Sequence, residues 1–426
     1  MNWFTTRILQ TIKYKPGKPI PKPSPSYLDR EILSKTEEII SKVSTLGDNA
    51  LLEYLSEYHG ISNPRIIVEE WEFDEAYREA GDNVITALET VKSRVEQVAK
   101  QIVPREVEAM VSRGLIVGVK WRPVEKVGIY APVGKARYPS SVIMAGVPAY
   151  TAGSKYITVS SPPVTKEGKL DPAILVASDI IGAKRVYRLG GAYAAAAMAL
   201  GTESVPKVDK IAGPGGKWFT AAKAIVSRFT GVDMLAGPTE LAIVSDGSVN
   251  PKWIALDLAA QAEHSNDTAV YLITTAEDYV SRVDEELART ASEVGFPSKG
   301  QAYAVIVDNI KEAVSVVKEI SPEHLYLAIK DPPRDILEWE WSTGLVTFGE
   351  YSAPALSDYS TGANHILPTG GSARYRGGLT PLDFMRPVYY VYSLEDGFKK
   401  SCREAMLLSE AEGLFLHSRS ISVRGC

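Results

Sequence analysis

Hydrophobic residues follow two different patterns along the chain. From residue 27 to about residue 112, apolar positions mostly recur every three or four residues, which is typical of amphipathic helices. The clearest runs are residues 32–46, 49–58 and 82–102. We therefore expect a mostly helical N-terminal region, followed by a strand at residues 114–121.

From residue 127 onward, short apolar stretches alternate with helical segments, and a second alternation runs from residue 269 to residue 329. Alternation of this kind predicts parallel sheets with crossover helices. The predicted strands of the first alternation are residues 127–130, 156–160, 185–189, 207–211 and 241–245. The predicted fold class is α/β, with two Rossmann-like parallel α/β units, an N-terminal arm and a C-terminal helical tail.

The arm, residues 1–26, contains a proline-rich stretch at residues 15–25. Such a stretch can form neither a helix nor a central strand, so we expect it to run extended over a surface. Fixation against another subunit and a loose linker are both open interpretations.

The composition is that of an ordinary globular protein, with 426 residues, of which 45% are hydrophobic and 23% charged. The net charge of −5 and the dispersed Lys and Arg residues argue against nucleic-acid binding. No apolar run approaches the roughly 18–20 residues of a membrane span. Because Cys402 and Cys426 are the only cysteines, we expect no disulfide framework and a cytoplasmic protein.

Candidate chemistry begins with Gln261 and His264. The segment before them is rich in Ala and Leu and starts at Pro251, which predicts a helix on which positions three apart share a face. Unpaired burial costs roughly 1–3 kcal/mol per polar group, so the pair needs partners. A metal ion is one answer, and a hydrogen-bonded core His beside a capping Gln is the more common one.

The distribution of the other histidines favours a functional cluster. Four of the five lie in short segments rich in carboxylates, Gly, Pro and Ser, namely His264, His324, His365 and His417. In Ser321-Pro322-Glu323-His324, Ser and Pro are typical of a helix start, so we expect Glu323 and His324 in a first turn. The positive helix end favours an ionised Glu and a neutral imidazole, which suits proton abstraction and water activation. A variant capping box with an incidental His is the alternative.

Further polar residues lie far along the chain. Asp358 belongs to a segment rich in turn formers, which predicts a loop. Glu412 and His417 stand near the C-terminus, where an isolated pair would be solvated surface. Gln261, His264, Asp358 and His417 together would supply four oxygen and nitrogen ligands, which suits zinc.

Three glycine-bearing turns follow predicted strands, at residues 132–135, 190–192 and 213–217. In an open parallel sheet, ligands bind beyond the carboxyl ends of the strands, and helix N-termini there favour phosphate. No turn matches the full dinucleotide fingerprint, but three on consecutive crossovers favour a nucleotide-type site.

Taken together, these segments resemble the histidinol dehydrogenase family over nearly the whole chain. The longest matching motif is Asp233-Met-Leu-Ala-Gly-Pro-Thr-Glu240, and Gln261-Ala-Glu-His264 and Pro322-Glu-His-Leu325 follow it. The other matching segments are residues 127–132, 138–142, 201–203, 206–211, 213–215, 364–369, 378–380, 383–384 and 411–413, with His417. So many matches in one order are highly specific.

The resemblance implies roles for individual residues. Glu323 and His324 are implied as the catalytic pair. The implied zinc ligands are Gln261, His264, Asp358 and His417. The implied substrate contacts are Thr239, Gln261, His264, His324, Asp358, Glu412 and His417. The implied contacts to the NAD cofactor are Tyr130, Tyr193 and Gly216.

The family oxidises a small amino alcohol, L-histidinol, to L-histidinal and then to L-histidine with two NAD+ in succession. On that scheme zinc holds the amino alcohol, His324 takes the hydroxyl proton, and Glu323 activates the water that hydrates the aldehyde. The resemblance also implies a homodimer in which the tail of one subunit completes the site of the other, which would give Glu412 and His417 a role.

We therefore predict four regions. Residues 1–26 form the arm, and residues 127–237 form a Rossmann-like cofactor domain. Residues 27–126 and 238–379 form a large α/β domain that carries the zinc and catalytic residues. Residues 380–426 form a C-terminal helical tail that is exchanged between subunits.

The chain departs from the family pattern mainly at the cofactor face. Tyr193 stands where the family usually has Gln, and Gly216 stands where it usually has Asn, whereas Thr239 replaces a usual Ser and keeps the hydroxyl. The changes at Tyr193 and Gly216 favour, as the alternative, a paralogue that oxidises another small polyol or amino alcohol, such as a sulfopropanediol. The retained Glu412 and His365 favour histidinol. A zinc hydrolase is disfavoured because the sequence has no His-Glu-x-x-His motif. A ligand-binding protein without turnover is disfavoured because it would have no need of the catalytic pair.

Overall fold

The structure is a computed structural model that describes residues 7–23, 29–134, 136–294 and 301–426. Its helices are α1 (Arg30–Leu46), α2 (Asp48–His59), α3 (Glu70–Ala80), α4 (Asp82–Ile102), α5 (Pro139–Thr151), α6 (Pro172–Ile180), α7 (Gly191–Leu200), α8 (Lys217–Val226), α9 (Pro251–Ala262), α10 (Glu277–Val294), α11 (Ile310–Ile320), α12 (Pro354–Tyr359), α13 (Glu395–Ala411) and α14 (Phe415–Ser422). Its strands are β1 (Gln10–Lys13), β2 (Val107–Ser112), β3 (Leu115–Pro123), β4 (Lys126–Tyr130), β5 (Tyr156–Ser160), β6 (Arg185–Tyr187), β7 (Lys210–Ala212), β8 (Gly231–Val232), β9 (Glu240–Ser245), β10 (Ala269–Thr274), β11 (Ala302–Ile306), β12 (His324–Ala328), β13 (Leu345–Phe348) and β14 (Met385–Ser393).

The middle of the chain forms a five-stranded parallel sheet in the order β6-β5-β4-β7-β8. Helices α5 and α6 pack in one hydrophobic cluster and α7 and α8 in another, so helices cover both faces. Covered faces explain why the strands are nearly continuous apolar runs. The alternation of short strands and helices thus predicted strands β4 to β7, but not β8, and the predicted strand at residues 241–245 is β9 of the other parallel sheet.

The second half forms a six-stranded parallel sheet in the order β1-β11-β10-β9-β12-β13. Strands β9 and β12 are neighbours, and His324 at the start of β12 lies opposite Leu241 of β9. This register brings the residues that precede and begin the two strands side by side. The predicted α/β class with two parallel units is therefore confirmed.

The described part of the N-terminal arm packs on the sheet of its own chain. Strand β1 adds to the edge of β11, and Ile20 is buried. The hydroxyl of Tyr271 donates a hydrogen bond to the carbonyl oxygen of Pro21 (2.8 Å). The proline-rich stretch is not extended throughout, because the N–H of Lys18 donates to the carbonyl oxygen of Lys15 (3.0 Å) in a turn, and its residues 20–21 contact the sheet of this subunit. Residues 1–6 and 24–28 lie outside the described ranges.

A small antiparallel sheet, β14-β3-β2, replaces part of the expected helical region. Residues 107–112 were expected to be helical, and this expectation is wrong. Gly114 has a φ of 80°, and this left-handed conformation lets the chain turn from β2 directly into β3. The expected strand after it is confirmed as β3.

Helices α1 to α4 pack against the helices of the five-stranded sheet: α1 on α7 and α8, α3 on α6, and α4 on α5. The predicted domain division placed residues 27–126 in one domain with the six-stranded unit. That grouping stays a proposal for the domain division, but the apolar faces of these helices lie on the other unit, because its helices offer the matching apolar surface.

The C-terminal region contains two helices, α13 and α14, which pack on each other. Cys402 of α13 and Cys426 form a disulfide with a Cα–Cα distance of 5.8 Å. Two cysteines form this single disulfide rather than a framework, and the pairing was not predicted: α14 packs back on α13 and returns the last residue to Cys402, which spacing in the sequence does not reveal. No helix in the described ranges has both the length and the apolar character to cross a membrane.

Candidate active site

The candidate active site is a cavity of about 400 Å³ that both parallel sheets help to line. Pro132 and Gly215 lie just beyond the carboxyl ends of β4 and β7, whereas Thr239 and His324 lie at the amino ends of β9 and β12. Side chains from the ends of α9 and α12 complete the lining. Ligands bound beyond the first sheet would therefore meet side chains presented by the second.

A chain of hydrogen bonds links three of the predicted site residues. Gln261 Nε2 donates to Thr239 Oγ1 (2.5 Å), and Thr239 Oγ1 donates to Glu323 Oε2. The backbone N–H of Glu240 also approaches Glu323 Oε2, at 3.4 Å. One carboxyl oxygen of Glu323 is thus held by the fold, while the other, Oε1, lies 3.9 Å from His324 Nε2.

The imidazole of His324 is buried between carboxyl groups. Its Nε2 lies 3.8 Å from Asp358 Oδ1 and 3.9 Å from Glu323 Oε1, and its Nδ1 has no hydrogen-bond partner. Burial, helped by His365 and His264, lowers the pKa of His324 to about 3. The ring is therefore neutral at physiological pH and can accept a proton.

The carboxyl group of Glu323 is shifted in the opposite direction. Burial raises its pKa to about 8, the hydrogen bond from Thr239 lowers it, and the carboxyls of Asp358 and Glu240 raise it. Glu240 itself is buried, and burial raises its pKa to about 7. A carboxyl group whose pKa lies near neutral pH, next to a neutral imidazole, is suited to general acid–base catalysis.

Asp358, His264 and His365 surround the remaining part of the cavity. Burial raises the pKa of Asp358 to about 7, and its buried Oδ1 accepts no hydrogen bond. His365 Nδ1 donates to the carbonyl oxygen of Asp358 (2.9 Å), and burial lowers the pKa of His365 to about 4. The sequence placed His365 in a functional segment but gave it no role. Its position on the cavity wall was visible only in the structure.

Within the described ranges, no three His, Cys, Asp or Glu side chains of the chain are arranged to bind a metal ion. Of the predicted ligands, Gln261, His264 and Asp358 all line the cavity. An amide oxygen, an imidazole and a buried carboxylate form a donor set that zinc accepts, with one position left for a fourth ligand.

Three local expectations about these residues need correction. His324 and Glu323 do not lie in a helix: α11 ends at Ile320, and the φ of 51° at its C-cap residue, Ser321, turns the chain toward β12. Burial, rather than a helix end, keeps His324 neutral. Helix α9 ends at Ala262, so His264 lies just past it, and Asp358 lies in the short helix α12 rather than in a loop.

The predicted cofactor residues are placed differently from one another. Gly216 lines the cavity, whereas Tyr130 and Tyr193 are buried and do not line it. The hydroxyl of Tyr130 accepts a hydrogen bond from the N–H of Gly191 (3.1 Å), and Tyr193 stacks on Tyr54 with 4.4 Å between ring centroids. Their roles toward a cofactor stay predictions.

The two predicted tail residues, Glu412 and His417, do not line the cavity of their own chain, and both are exposed. Large apolar side chains around them are also exposed, including Leu408 (66%), Phe415 (70%) and Leu416 (80%). Apolar surface of this kind is typical of a segment that packs against another protein.

Fold and site together define the class of this protein. Two parallel α/β units share a cavity that holds a buried carboxyl group, a neutral imidazole and a set of nitrogen and oxygen donors. This is the arrangement of an α/β enzyme that moves protons at a bound small molecule.

Comparison with known proteins defines the family. The family model for histidinol dehydrogenase matches residues 24–425. Histidinol dehydrogenase from Clostridium acetobutylicum is 37% identical over 424 residues, which are 98% of this chain and 96% of the relative. The enzyme of the same name from Saccharolobus solfataricus is 37% identical over 405 residues, 95% of this chain and 98% of the relative.

A solved structure agrees with this assignment. The crystal structure of histidinol dehydrogenase from Elizabethkingia anophelis superimposes with a TM-score of 0.91 at 30% identity, covering 98% of both chains. The chain belongs to the histidinol dehydrogenase family and is an oxidoreductase.

Proposed function

We propose that this enzyme oxidises L-histidinol through L-histidinal to L-histidine, with zinc and two NAD+ in succession. The observation that carries the proposal is the pairing of Glu323 and neutral His324 in the cavity that also presents Gln261, His264 and Asp358. The family relationship supports the substrate, since the similar enzymes from Clostridium acetobutylicum and Saccharolobus solfataricus are named histidinol dehydrogenases.

Zinc would be held by Gln261, His264 and Asp358 of one subunit and by His417 of the partner subunit. The buried, unpartnered Oδ1 of Asp358 supports this assignment, because such an oxygen costs free energy unless a donor or a cation satisfies it. When bound, zinc would hold the amino alcohol as a Lewis acid and NAD+ would accept the hydride.

The residues of the chain perform the proton transfers in this proposal. In the first oxidation, the neutral imidazole of His324 takes the proton of the substrate hydroxyl. In the second, the carboxylate of Glu323 takes a proton from the water that adds to the aldehyde. Thr239 holds that carboxylate in position through its hydroxyl group.

We infer a homodimer with shared active sites from the exposed tail. Glu412 and His417 lie outside the cavity, and the apolar surface beside them is uncovered in the single chain. A second uncovered apolar group lies near the cavity, at Trp253, Leu356 and Tyr359. Mutual packing of tail and cavity rim would cover both surfaces and bring the two polar side chains to the partner's site.

The reaction is tested by NADH absorbance with zinc, NAD+ and L-histidinol. Two NADH per histidinol are expected for the unaltered enzyme, and one for Glu323→Gln, because the aldehyde is then no longer hydrated efficiently. Glu338→Gln, a change at an exposed Glu away from the cavity, is the matched control and should still give two.

The alternative, a paralogue that acts on another small polyol or amino alcohol, is favoured by Tyr193 and Gly216 at the predicted cofactor face. It would be supported by NAD+ reduction with such an alcohol and none with L-histidinol. Absence of NAD+ reduction with every alcohol tested would contradict both the proposed function and this alternative.

Subunit mixing tests the shared site. His264→Ala and His417→Ala homodimers should both lose zinc and activity. In a mixed dimer, one site would carry both changes and the other neither, so unfolding and reassembling the two variants together should restore about one quarter of the activity. No recovery would show that each site is built from a single chain.

A further inference from the structure

A buried ion pair lies directly behind the glycine turn at residues 213–216. Lys223 of α8 and Asp233, which follows β8, approach to 2.6 Å, and neither side chain is exposed to solvent. Neither residue lines the cavity. Two full charges with no contact to solvent or to the cavity require an explanation other than surface electrostatics.

The pair holds both peptide groups of Gly213. Lys223 Nζ donates to the carbonyl oxygen of Gly213 (2.9 Å), and Asp233 Oδ2 accepts from its N–H (2.7 Å). Gly213 has a φ of 119°, and an added Cβ would lie 2.3 Å from the carbonyl oxygen of Tyr130. The start of the turn is therefore fixed against the end of β4 by sterics on one side and by two charged hydrogen bonds on the other.

The same pair also binds the start of a second segment that lines the cavity. Asp233 Oδ1 accepts from the N–H of Met234 (2.6 Å), the first residue of a loop that lines the cavity and ends at Thr239. Lys223 Nζ lies 5.3 Å from the ring centroid of Phe219, which stacks on Tyr130 at 3.9 Å. One ion pair thus contacts the start of the glycine turn, the start of the loop that leads to Thr239, and the ring of Phe219 in α8.

We propose that Lys223 and Asp233 are positioning residues that set the geometry of the 213–217 turn relative to the 234–239 loop, and through it the binding of the dinucleotide. This inference rests on the proposed NAD+-linked function. A well-packed apolar pair often stabilises a fold as well as a buried ion pair does, so a role in positioning explains the charges better than stability does.

The chain offers a matched control in a second buried ion pair, Arg188 with Glu72. Arg188 also donates to main-chain carbonyls, those of Gly168 and Ile67. The pair is also a buried cation with a carboxylate, but none of the residues it binds lines or adjoins the cavity, whereas Asp233 binds the N–H of Met234, which does line it.

The test compares Lys223→Met/Asp233→Asn with Arg188→Met/Glu72→Gln in the full-length enzyme. Double changes are used because a single change would leave an unpaired buried charge, which strongly destabilises a fold. With L-histidinol saturating, the first variant should raise KM for NAD+ by about tenfold or more with a smaller change in kcat, since misplacement of a binding element weakens binding strongly. The control should keep KM for NAD+ within about twofold at a similar loss of thermal stability.

Hydrogen exchange provides a readout that needs no cofactor. The amide of Gly213 should exchange faster in the Lys223→Met/Asp233→Asn variant and at an unchanged rate in the control variant. Equal KM values and equal exchange in the two variants would overturn the inference. Failure of the unaltered enzyme to reduce NAD+ would instead refute the proposed function, while exchange at Gly213 would still report on the turn.

Discussion

Replacing Thr239 by Val tests how the fold prepares Glu323 for catalysis. The hydroxyl of Thr239 accepts a hydrogen bond from Gln261 Nε2 and donates one to Glu323 Oε2. Valine has nearly the same shape but no hydroxyl, so it removes the donor without opening a large cavity. The carboxylate would keep only the distant N–H of Glu240, 3.4 Å away.

The magnitude follows from the loss of one hydrogen bond to an ionised group. Such a bond contributes about 1.5–3 kcal/mol, which corresponds to about one to two pKa units. Burial already raises the pKa of Glu323 to about 8, and the bond from Thr239 opposes that rise. Its loss therefore raises the pKa further, and the ionised fraction at pH 7 should fall about 10- to 100-fold.

The assay is the pH–rate profile for oxidation of L-histidinal, the half-reaction in which Glu323 acts as a base. In Thr239→Val the alkaline rise of the profile should move to higher pH by about one to two units. Thr239→Ser keeps the hydroxyl and is the matched control, and its profile should stay in place. The reasoning is refuted if the valine variant keeps the original midpoint or if the serine variant shifts equally.

Two further predictions concern stability. Cys402→Ser/Cys426→Ser opens a loop of 24 residues, and chain entropy predicts a loss of about 3 kcal/mol from the tail; reductant should lower the Tm of the unaltered protein but not of the variant, and an unaltered Tm in reductant would contradict this. Burial raises the pKa of Asp257 from 3.8 to about 7, so its contribution to stability is full below about pH 4 and is lost as the pH rises through 7. In urea unfolding, Asp257→Asn should then be about 1–3 kcal/mol more stable than the unaltered protein at pH 8 and equal to it at pH 4. Equal stabilities at both pH values would refute the raised pKa of Asp257.

The sequence predicted the two parallel sheets well because their signal is local and repeated. Short apolar strands bounded by Gly or Pro fix each crossover, and burial of both faces forces the continuous apolar runs. The arm was harder, because strand β1 pairs with β11, almost 300 residues later. Edge pairing of this kind leaves no periodic signal in a four-residue strand.

The segment Ser321-Pro322-Glu323-His324 shows why a local motif misled. Ser followed by Pro is typical of a helix N-terminus, but here Ser321 ends α11 in a left-handed conformation. The following residues, His324 to Ala328, are all buried between β9 and β13, and sheet pairing outweighs the local preference. The residue types at the site were thus predicted, whereas the elements that carry them were not.

Convergence of the site could be predicted only through family resemblance. Gln261 and Asp358 are nearly one hundred residues apart, and nothing in their spacing shows that they line one cavity. His417 lies outside that cavity in the single chain, so the zinc-binding role that we propose for it requires a second subunit. The sequence placed His365 in a functional segment, but no pattern in that turn-rich segment shows that its side chain lines the cavity.

The departures at the predicted cofactor face acquire a physical explanation from the packing. The hydroxyls of Tyr54 and Tyr130 accept hydrogen bonds from the N–H groups of Gly190 and Gly191, so the amides of that turn are already satisfied within the protein. Tyr193 stacks on Tyr54 and so helps to hold this arrangement. At Gly216, by contrast, a Cβ would meet nothing within 4 Å, and the residue lines the cavity. A side chain at residue 216 would therefore meet no protein atom at its Cβ, and the absence of one leaves the main chain of Gly216 exposed on the cavity wall.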